Sequence, residues 1–272
     1  MLEEIDLEEL QAQPQALGQA LRRADTYRGV AREIGWAAFN LAVWPIGLAD
    51  EAIRSGVRRI PSWRPKVATE PSGVAAEIPI ILIHGYFHNR SGLMVMSRAL
   101  KRHGFKNLHA FNYNPLRRGI PEIAESVGRR VEQVLEQTGA PKVHLVGHSL
   151  GGLLARWYVE QMGGQSKVHS VVTLGTPHNG TLLAHAGRSP VSRQMRPGSD
   201  LLKKLAEKPL PKSVRYLSYY SNLDVLIKPS RSACLRNGNC DNVRNILVHD
   251  MGHLSLLISP ELIESIAGNL SE

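Results

Sequence analysis

Between residues 78 and 268, short apolar runs alternate with segments whose apolar positions recur every three or four residues. The apolar runs predict strands at 78–83, 107–113, 142–146, 168–174, 214–220 and 245–248. The periodic segments predict helices at 93–103, 120–138, 150–162 and 260–268. Strands that alternate with helices are typical of an α/β protein with a doubly wound, mostly parallel sheet. Such a sheet binds ligands at the carboxyl ends of its strands.

Residues 1–76 follow a different pattern, which predicts an N-terminal helical extension. Apolar residues between 17 and 34 share one helical face, and a second amphipathic helix is predicted over 53–60. Residues 61–76 contain several prolines and are interpreted as a linker. The domain boundary is therefore predicted near residue 77, with the α/β domain over 77–272.

The extension carries an uncharged stretch, residues 34–49, which contains Trp36 and Trp44. Arginines flank this stretch on both sides, so residues 28–59 fit an anchor at an anionic membrane surface, with the tryptophans at headgroup depth. A helical hairpin that packs on the main domain or on a partner fits the same pattern. Both interpretations stay open at this point.

The net charge of +9 requires a nucleic acid or an anionic surface to be considered as a partner. No nucleic acid is expected, because no RNA-binding signature and no basic run interleaved with aromatic residues accompanies the charge. The acidic N-terminus lacks the basic region of a secretory signal, and no run of apolar residues predicts a transmembrane helix. We therefore expect a cytoplasmic or peripherally membrane-associated protein.

The motif Gly-His-Ser-Leu-Gly-Gly at residues 147–152 is the main candidate for chemistry. It directly follows a predicted strand and directly precedes a predicted helix, as a nucleophile elbow requires. The glycines leave space for a sharp turn, which places the Ser149 hydroxyl at the top of the sheet. The Leu150 backbone N–H, at the helix start, can then point at a developing oxyanion.

A serine hydroxyl needs a base, and that base needs an acid to orient it. In α/β proteins that carry such a nucleophile elbow, the acid and base follow the serine in the order Ser, Asp or Glu, His. Asp224 follows the predicted strand 214–220, and His253 lies between the predicted strand 245–248 and the last helix. The competing candidates are Asp241 and Asp250 for the acid and His249 for the base.

The loop after the first strand can supply a second oxyanion donor. Strand 78–83 runs into His84 and Gly85, and Gly85 lets the backbone turn closely. The Tyr86 N–H is therefore predicted to join that of Leu150 in an oxyanion hole.

Five segments together resemble the α/β-hydrolase superfamily. They are the strand with His84 and Gly85, the Gly-His-Ser-Leu-Gly-Gly motif, the segment Thr-Leu-Gly-Thr-Pro-His-Asn-Gly at 173–180, the Asp224 segment and Gly252–His253. Within it they are similar to bacterial triacylglycerol lipases and esterases and to acylhydrolases that remove inositol-linked acyl chains. The resemblance covers residues 78–270. It implies an α/β-hydrolase fold in which Ser149 is the nucleophile, Asp224 the acid and His253 the base.

Residues 181–212 form an insertion where such enzymes place a cap. Its amphipathic segment 199–208 fits a mobile apolar lid over an acyl pocket, and it fits a plain surface helix equally well. Seven basic residues, against Asp200 and Glu207, give this insertion a face that suits anionic lipid. Cys234 and Cys240 either form a small disulfide or remain thiols.

The sequence thus predicts a serine-dependent carboxylic-ester hydrolase that acts on lipid or other long-chain acyl esters, with no cofactor and no metal ion. Some related lipases carry a structural calcium ion, but no acidic cluster here would hold one. An acyltransferase that uses the same triad is one alternative. A non-catalytic, membrane-associated binding module of the same fold is another.

Overall fold

The computed structural model describes residues 77–235 and 241–272. The helical extension predicted for residues 1–76 therefore lies outside the described residues, as does Cys240. The described part is built around one sheet of six strands. They are β1 (Ile80–Ile83), β2 (Leu108–Ala110), β3 (Val143–His148), β4 (Val168–Leu174), β5 (Arg215–Ser221) and β6 (Val243–Val248).

The strand order is β2-β1-β3-β4-β5-β6, and every neighbouring pair is parallel. All six strands coincide with predicted ones, so the parallel doubly wound sheet is confirmed. Strand β2 is shorter than predicted and ends at Ala110, whereas β3 continues through Gly147 and His148, two residues beyond its predicted end. Ser149 therefore follows the strand without an intervening loop.

In the part of the chain that the structure describes, six α-helices connect or flank the strands. They are α1 (Met94–Arg102), α2 (Ile120–Thr138), α3 (Leu150–Gln161), α4 (Pro190–Gln194), α5 (Asp200–Ala206) and α6 (Pro260–Ser271). The four predicted helices are confirmed as α1, α2, α3 and α6. Within the described ranges, no helix is long and apolar enough to cross a membrane.

The apolar character of β1 follows from its position between two helical layers. Ile81 and Ile83 belong to the core cluster that includes side chains of α2 and α3. Ile80 and Leu82 belong to the cluster that includes side chains of α1 and α6. Both faces of the strand are thus covered, so each of its four residues is apolar and none is exposed to solvent.

The order in which strands are added to the sheet reverses at β1, although the strands stay parallel. From β1 the chain adds β2 on one side, and it then crosses back to form β3 on the other side of β1. The carboxyl ends of β1 and β3 are therefore neighbours at a topological switch point, which is where open α/β sheets bind their ligands. The segments that follow these two strands begin at His84 and Ser149.

The insertion 181–212 consists of two structurally different halves. The first contains a short 3-10 turn, Leu182–His185, and the helix α4. The second contains α5, whose three leucines are buried in the main core. The guanidinium of Arg156 on α3 donates a hydrogen bond of 3.3 Å to the Leu205 carbonyl, and its ion pair with Glu160 is buried beside it. The second half is thus fixed to α3.

Candidate active site

Ser149 occupies a sharp turn between β3 and α3. Its backbone angles are φ 52° and ψ −120°, which a residue with a side chain rarely adopts. The turn brings backbone into close approach, because a Cβ on Gly147 would lie 2.5 Å from the carbonyl carbon of Gly151. A Cβ on Gly151 would collide with the Ile83 carbonyl oxygen. Both glycines are therefore required by the geometry that presents Ser149.

Asp224 and His253 form a buried pair in the loops that follow β5 and β6. Asp224 Oδ2 lies 2.6 Å from His253 Nδ1, and both side chains are almost completely buried. The other carboxylate oxygen, Oδ1, accepts hydrogen bonds from the backbone N–H groups of Leu226 (2.9 Å) and Ile227 (3.0 Å). A carboxylate only accepts, so in the neutral His253 ring Nδ1 carries the proton and Nε2 is the basic nitrogen.

The competing candidates lie elsewhere. Asp241 lies beside the amino ends of β5 and β6, in a small crevice with Arg215 and Glu272. His249 is exposed. Asp250 is half-buried, and its backbone has a positive φ of 57°. The structure places Asp224 against His253.

The predicted oxyanion donors flank Ser149 from two elements. Leu150 is the first residue of α3, where backbone N–H groups lack intrahelical partners. A Cβ built on Gly85 would lie 3.1 Å from the Ser149 Cβ, so the loop after β1 contacts the serine directly. Tyr86 follows Gly85 and lines the same cavity as Ser149. The assignment of Tyr86 and Leu150 as oxyanion donors stays a prediction.

One cavity of about 590 Å³ opens at this edge of the sheet, and both Ser149 and His253 line it. Its wall is mostly apolar. The aliphatic and sulfur-containing part of the wall comprises Pro177, Leu183, Ala184, Ala186, Met195, Leu226, Ile227 and Leu254. Most of the cap residues in this wall come from the first half of the insertion, whereas the leucines of α5 face the core. A cavity of this volume and polarity suits an apolar ligand.

Three further histidines surround the site, and none of them has a role that was predicted from the sequence. Burial lowers the pKa of His84 to about 4 and that of His88 to about 4. Burial also lowers the pKa of His148 well below its ordinary value, with the nearby His253 and His88 adding to the shift. All three rings are therefore neutral near pH 7. The sequence feature that points to His148 as a residue of the site is its place in the motif, directly before Ser149.

His84 fixes the start of the loop after β1. Its ring stacks on Tyr113 with the two centroids 4.0 Å apart, and the Tyr113 hydroxyl donates to the His84 carbonyl oxygen at 2.5 Å. The Tyr113 backbone N–H lies 3.4 Å from His84 Nε2. These contacts hold the backbone just before Gly85, next to the proposed oxyanion loop.

No group of three or more His, Cys, Asp or Glu side chains in residues 77–235 and 241–272 is arranged to hold a metal ion. Cys234 is half-buried, and burial raises the pKa of its thiol. Cys240 lies outside the described residues, so a disulfide between the two cysteines and two separate thiols both stay open.

The comparisons with known proteins agree with this architecture. A family model for the alpha/beta hydrolase fold matches residues 78–192. A triacylglycerol lipase of Burkholderia plantarii is 36% identical over 167 residues, which are 58% of this chain and 42% of the relative. A triacylglycerol lipase of Pseudarthrobacter phenanthrenivorans is 39% identical over 120 residues, which are 40% of this chain and 36% of the relative. The chain thus spans less than half the length of these curated relatives.

Solved structures share the fold at low sequence identity. The mature lipase BlEst2 of Bacillus licheniformis superposes with a TM-score of 0.62 at 16% identity, over 75% of this chain and 96% of that one. Aspergillus fumigatus lipase B has a TM-score of 0.62 at 18% identity, over 82% of this chain and 58% of that one. With the parallel sheet, the elbow at Ser149 and the match of residues 78–192 to the family model in place, the described residues have the α/β-hydrolase fold.

Proposed function

We propose that the protein is a serine-dependent carboxylic-ester hydrolase that acts on lipid or other long-chain acyl esters. One observation carries the proposal. The strained elbow of Ser149 and the buried Asp224–His253 pair meet at one apolar cavity. The similarity to triacylglycerol lipases supports the same class of substrate.

In the proposed reaction, Ser149 Oγ attacks the ester carbonyl carbon and its proton passes to His253 Nε2. Asp224 holds the imidazole through Nδ1 and stabilises the positive charge that forms on the ring. The backbone N–H groups of Tyr86 and Leu150 bind the tetrahedral oxyanion. Collapse of the tetrahedral intermediate expels the alcohol, which takes the proton from His253. The acyl group then remains on Ser149.

Water releases the acyl group in a second, equivalent half-reaction. His253 removes a proton from water, the resulting hydroxide attacks the acyl carbonyl, and the proton returns to Ser149 Oγ as the carboxylic acid leaves. An acyltransferase would use the same residues with an alcohol or thiol in place of water. Analysis of the products distinguishes the two reactions.

We further propose that the cavity mouth faces a lipid surface. Several exposed apolar side chains stand on the loops around it, with exposed fractions of 72% for Phe87, 53% for Leu183 and 57% for Val225. The loops are contiguous, because the Thr181 hydroxyl donates to the Leu226 carbonyl oxygen at 2.7 Å. Arginines and lysines of the insertion, and residues 28–59, would add attraction to an anionic membrane.

The test is hydrolysis of p-nitrophenyl esters from short to long acyl chains. It compares the full chain with Ser149→Ala and with Ser166→Ala, which changes an exposed serine. We expect turnover that rises with chain length, and a loss of orders of magnitude only in Ser149→Ala. A fluorophosphonate probe should label the wild type and Ser166→Ala but not Ser149→Ala. Normal turnover in Ser149→Ala would refute the proposal, and absence of both turnover and labelling in the wild type would favour a binding module.

A further inference from the structure

His148, the last residue of β3, contacts the loop that carries His253. Its Nε2 lies 3.0 Å from the backbone carbonyl oxygen of His253, although 105 residues separate the two in sequence. The two imidazole rings are 4.6 Å apart between centroids. His148 is 1% exposed, so this contact is shielded from water.

The partner of His148 determines its tautomer. A carbonyl oxygen only accepts, so Nε2 must carry the proton and donate it, which leaves Nδ1 with a lone pair. Nδ1 has no hydrogen-bond partner within residues 77–235 and 241–272, and a Cβ on Gly85 would lie 3.0 Å from it. One edge of the ring thus holds the His253 loop, and the other contacts the loop after β1.

The titratable groups that face His148 oppose its protonation. His84 and His88 approach from the loop after β1, and His253 approaches from the loop after β6. The carboxylate of Asp224 contacts this cluster at His253, which engages its Oδ2. Protonating His148 would place a second positive ring beside the imidazolium that forms on His253. A neutral donor holds the carbonyl without that repulsion.

Asp224 fixes the ring of His253 at Nδ1, but this contact does not fix where the backbone of His253 stands relative to Ser149. That backbone lies between the end of β6 and a short 3-10 turn, Ser255–Leu257, outside regular structure. His148 is covalently joined to Ser149 and hydrogen-bonded to His253. It therefore connects the proposed nucleophile directly to the backbone of the proposed base.

We propose that His148 is a positioning residue, which sets the separation of Ser149 and His253 by donating a hydrogen bond to the His253 carbonyl. This inference rests on the proposed function. It predicts an effect on the chemical step and little effect on substrate binding, because His148 acts through the backbone of the base.

His144 provides a matched control on the same strand. It is also fully buried, its Nδ1 lies 2.6 Å from Ser170 Oγ, and burial lowers its pKa to about 3. Its partner, however, belongs to β4 and not to a loop of the site. A histidine that only fills the core and satisfies a polar neighbour should behave like His144 when it is replaced.

The experiment measures kcat and KM for a soluble short-chain ester, the rate of fluorophosphonate labelling, and the melting temperature. The proteins are the full chain, His148→Leu, His148→Gln and His144→Leu. We expect His148→Leu to lose about 10- to 100-fold in kcat and in labelling rate with KM little changed. His148→Gln, whose amide nitrogen can replace Nε2, should recover most of this loss. His144→Leu should lower the melting temperature and leave kcat per folded molecule unchanged.

If folded His148→Leu reacts at the wild-type rate, or loses no more than His144→Leu, the inference is wrong. If His148→Leu does not fold, His148→Asn replaces it, because the shorter amide places its nitrogen near Nδ1 and cannot reach the carbonyl. Equal rates for the Asn and Gln variants would then overturn the inference. Failure of the wild type to label at all would refute the proposed function instead, so the two failures are distinguishable.

Discussion

The Tyr86 hydroxyl donates a hydrogen bond of 2.7 Å to Ser189 Oγ, and this bond joins the loop after β1 to the insertion. Ser189 Oγ also accepts the backbone N–H of Ser192 at 3.1 Å and thereby caps the start of α4. The Ser192 hydroxyl in turn lies 3.3 Å from the Tyr86 oxygen. The first half of the insertion is therefore attached to the residue whose backbone N–H is proposed to bind the oxyanion.

Tyr86→Phe should loosen the first half of the insertion and leave the core intact. The variant keeps the ring but loses the hydroxyl, so we expect the free energy of unfolding to fall by about 1 kcal/mol. Limited proteolysis should cut the segment 182–196 faster than in the wild type, because the cap opens more often. Tyr220→Phe is the control, since Tyr220 contacts Cys234 outside the cavity. Equal cleavage rates for Tyr86→Phe and wild type would contradict the prediction.

Ser149→Gly should unfold at higher denaturant concentration than the wild type while losing ester hydrolysis. Glycine relieves the backbone strain at φ 52°, which is of order 1–3 kcal/mol. Part of this gain in the free energy of unfolding is offset, because glycine has more conformational freedom in the unfolded chain. A net gain of about 1 kcal/mol is expected from urea unfolding, whereas Ser149→Ala keeps the strain and should gain little.

Asp250→Gly is the matched control for that strain, because Asp250 also has a positive φ. We expect this variant to be stabilised and to keep its hydrolytic activity, since Asp224 is the carboxylate that contacts His253. Loss of activity in Asp250→Gly, together with normal activity in Asp224→Asn, would move the acid to Asp250.

Elements with a strong local pattern could be predicted closely. Helix α2 and strand β4 have the predicted bounds, because α2 has a clear apolar period of three to four and β4 is rich in β-branched residues. The five-residue helix α4 was missed, since a helix of little more than one turn has no measurable period. Strand β3 extends beyond its predicted end because Gly147 and His148 pair with β4, a contact set by the sheet and not by strand propensity.

The pairing of Asp224 with His253 could be anticipated from chain order, because the loops after neighbouring parallel strands meet at one edge. The contact between His148 and His253 could not be. It joins a strand end to an irregular loop, and no local spacing encodes the orientation of a ring toward a distant carbonyl. The same holds for Tyr86 and Ser189, which meet only after the insertion has folded over the cavity.

Stability should fall in mild acid because several histidines are buried in the neutral form. Burial lowers the pKa of His84 to about 4 and of His144 to about 3, whereas an unfolded histidine titrates near 6.5. The unfolded chain therefore binds more protons as the pH falls from about 6.5 toward 4, so the free energy of unfolding decreases over this range. Each such histidine contributes at most about 1.4 kcal/mol per pH unit.

Urea unfolding at pH 7, 6 and 5 measures this slope. His144→Gln removes one titrating group and should reduce the slope between pH 6 and 5 by about 1 kcal/mol per pH unit. If His144→Gln leaves the slope unchanged, burial does not keep the His144 ring neutral in the folded protein.

The last prediction concerns residues 1–76, which lie outside the described residues. All proposed catalytic groups lie at or beyond Tyr86, so a chain that starts at Glu77 should hydrolyse a soluble short-chain ester at a comparable rate. It should bind anionic vesicles less well than the full chain. The binding of the full chain should weaken as salt rises, because surface charge attraction is screened.

Short-ester kinetics and vesicle co-sedimentation on both chains decide the matter. A full-length variant with glutamine at Arg54, Arg58 and Arg59 serves as the matched control, since it removes charge without shortening the chain. If charge drives attachment, this variant should lose vesicle binding in the same direction as the truncation and keep its hydrolysis. Truncation that destroys short-ester activity would instead mean that the extension packs on the hydrolase, as the alternative helical hairpin requires.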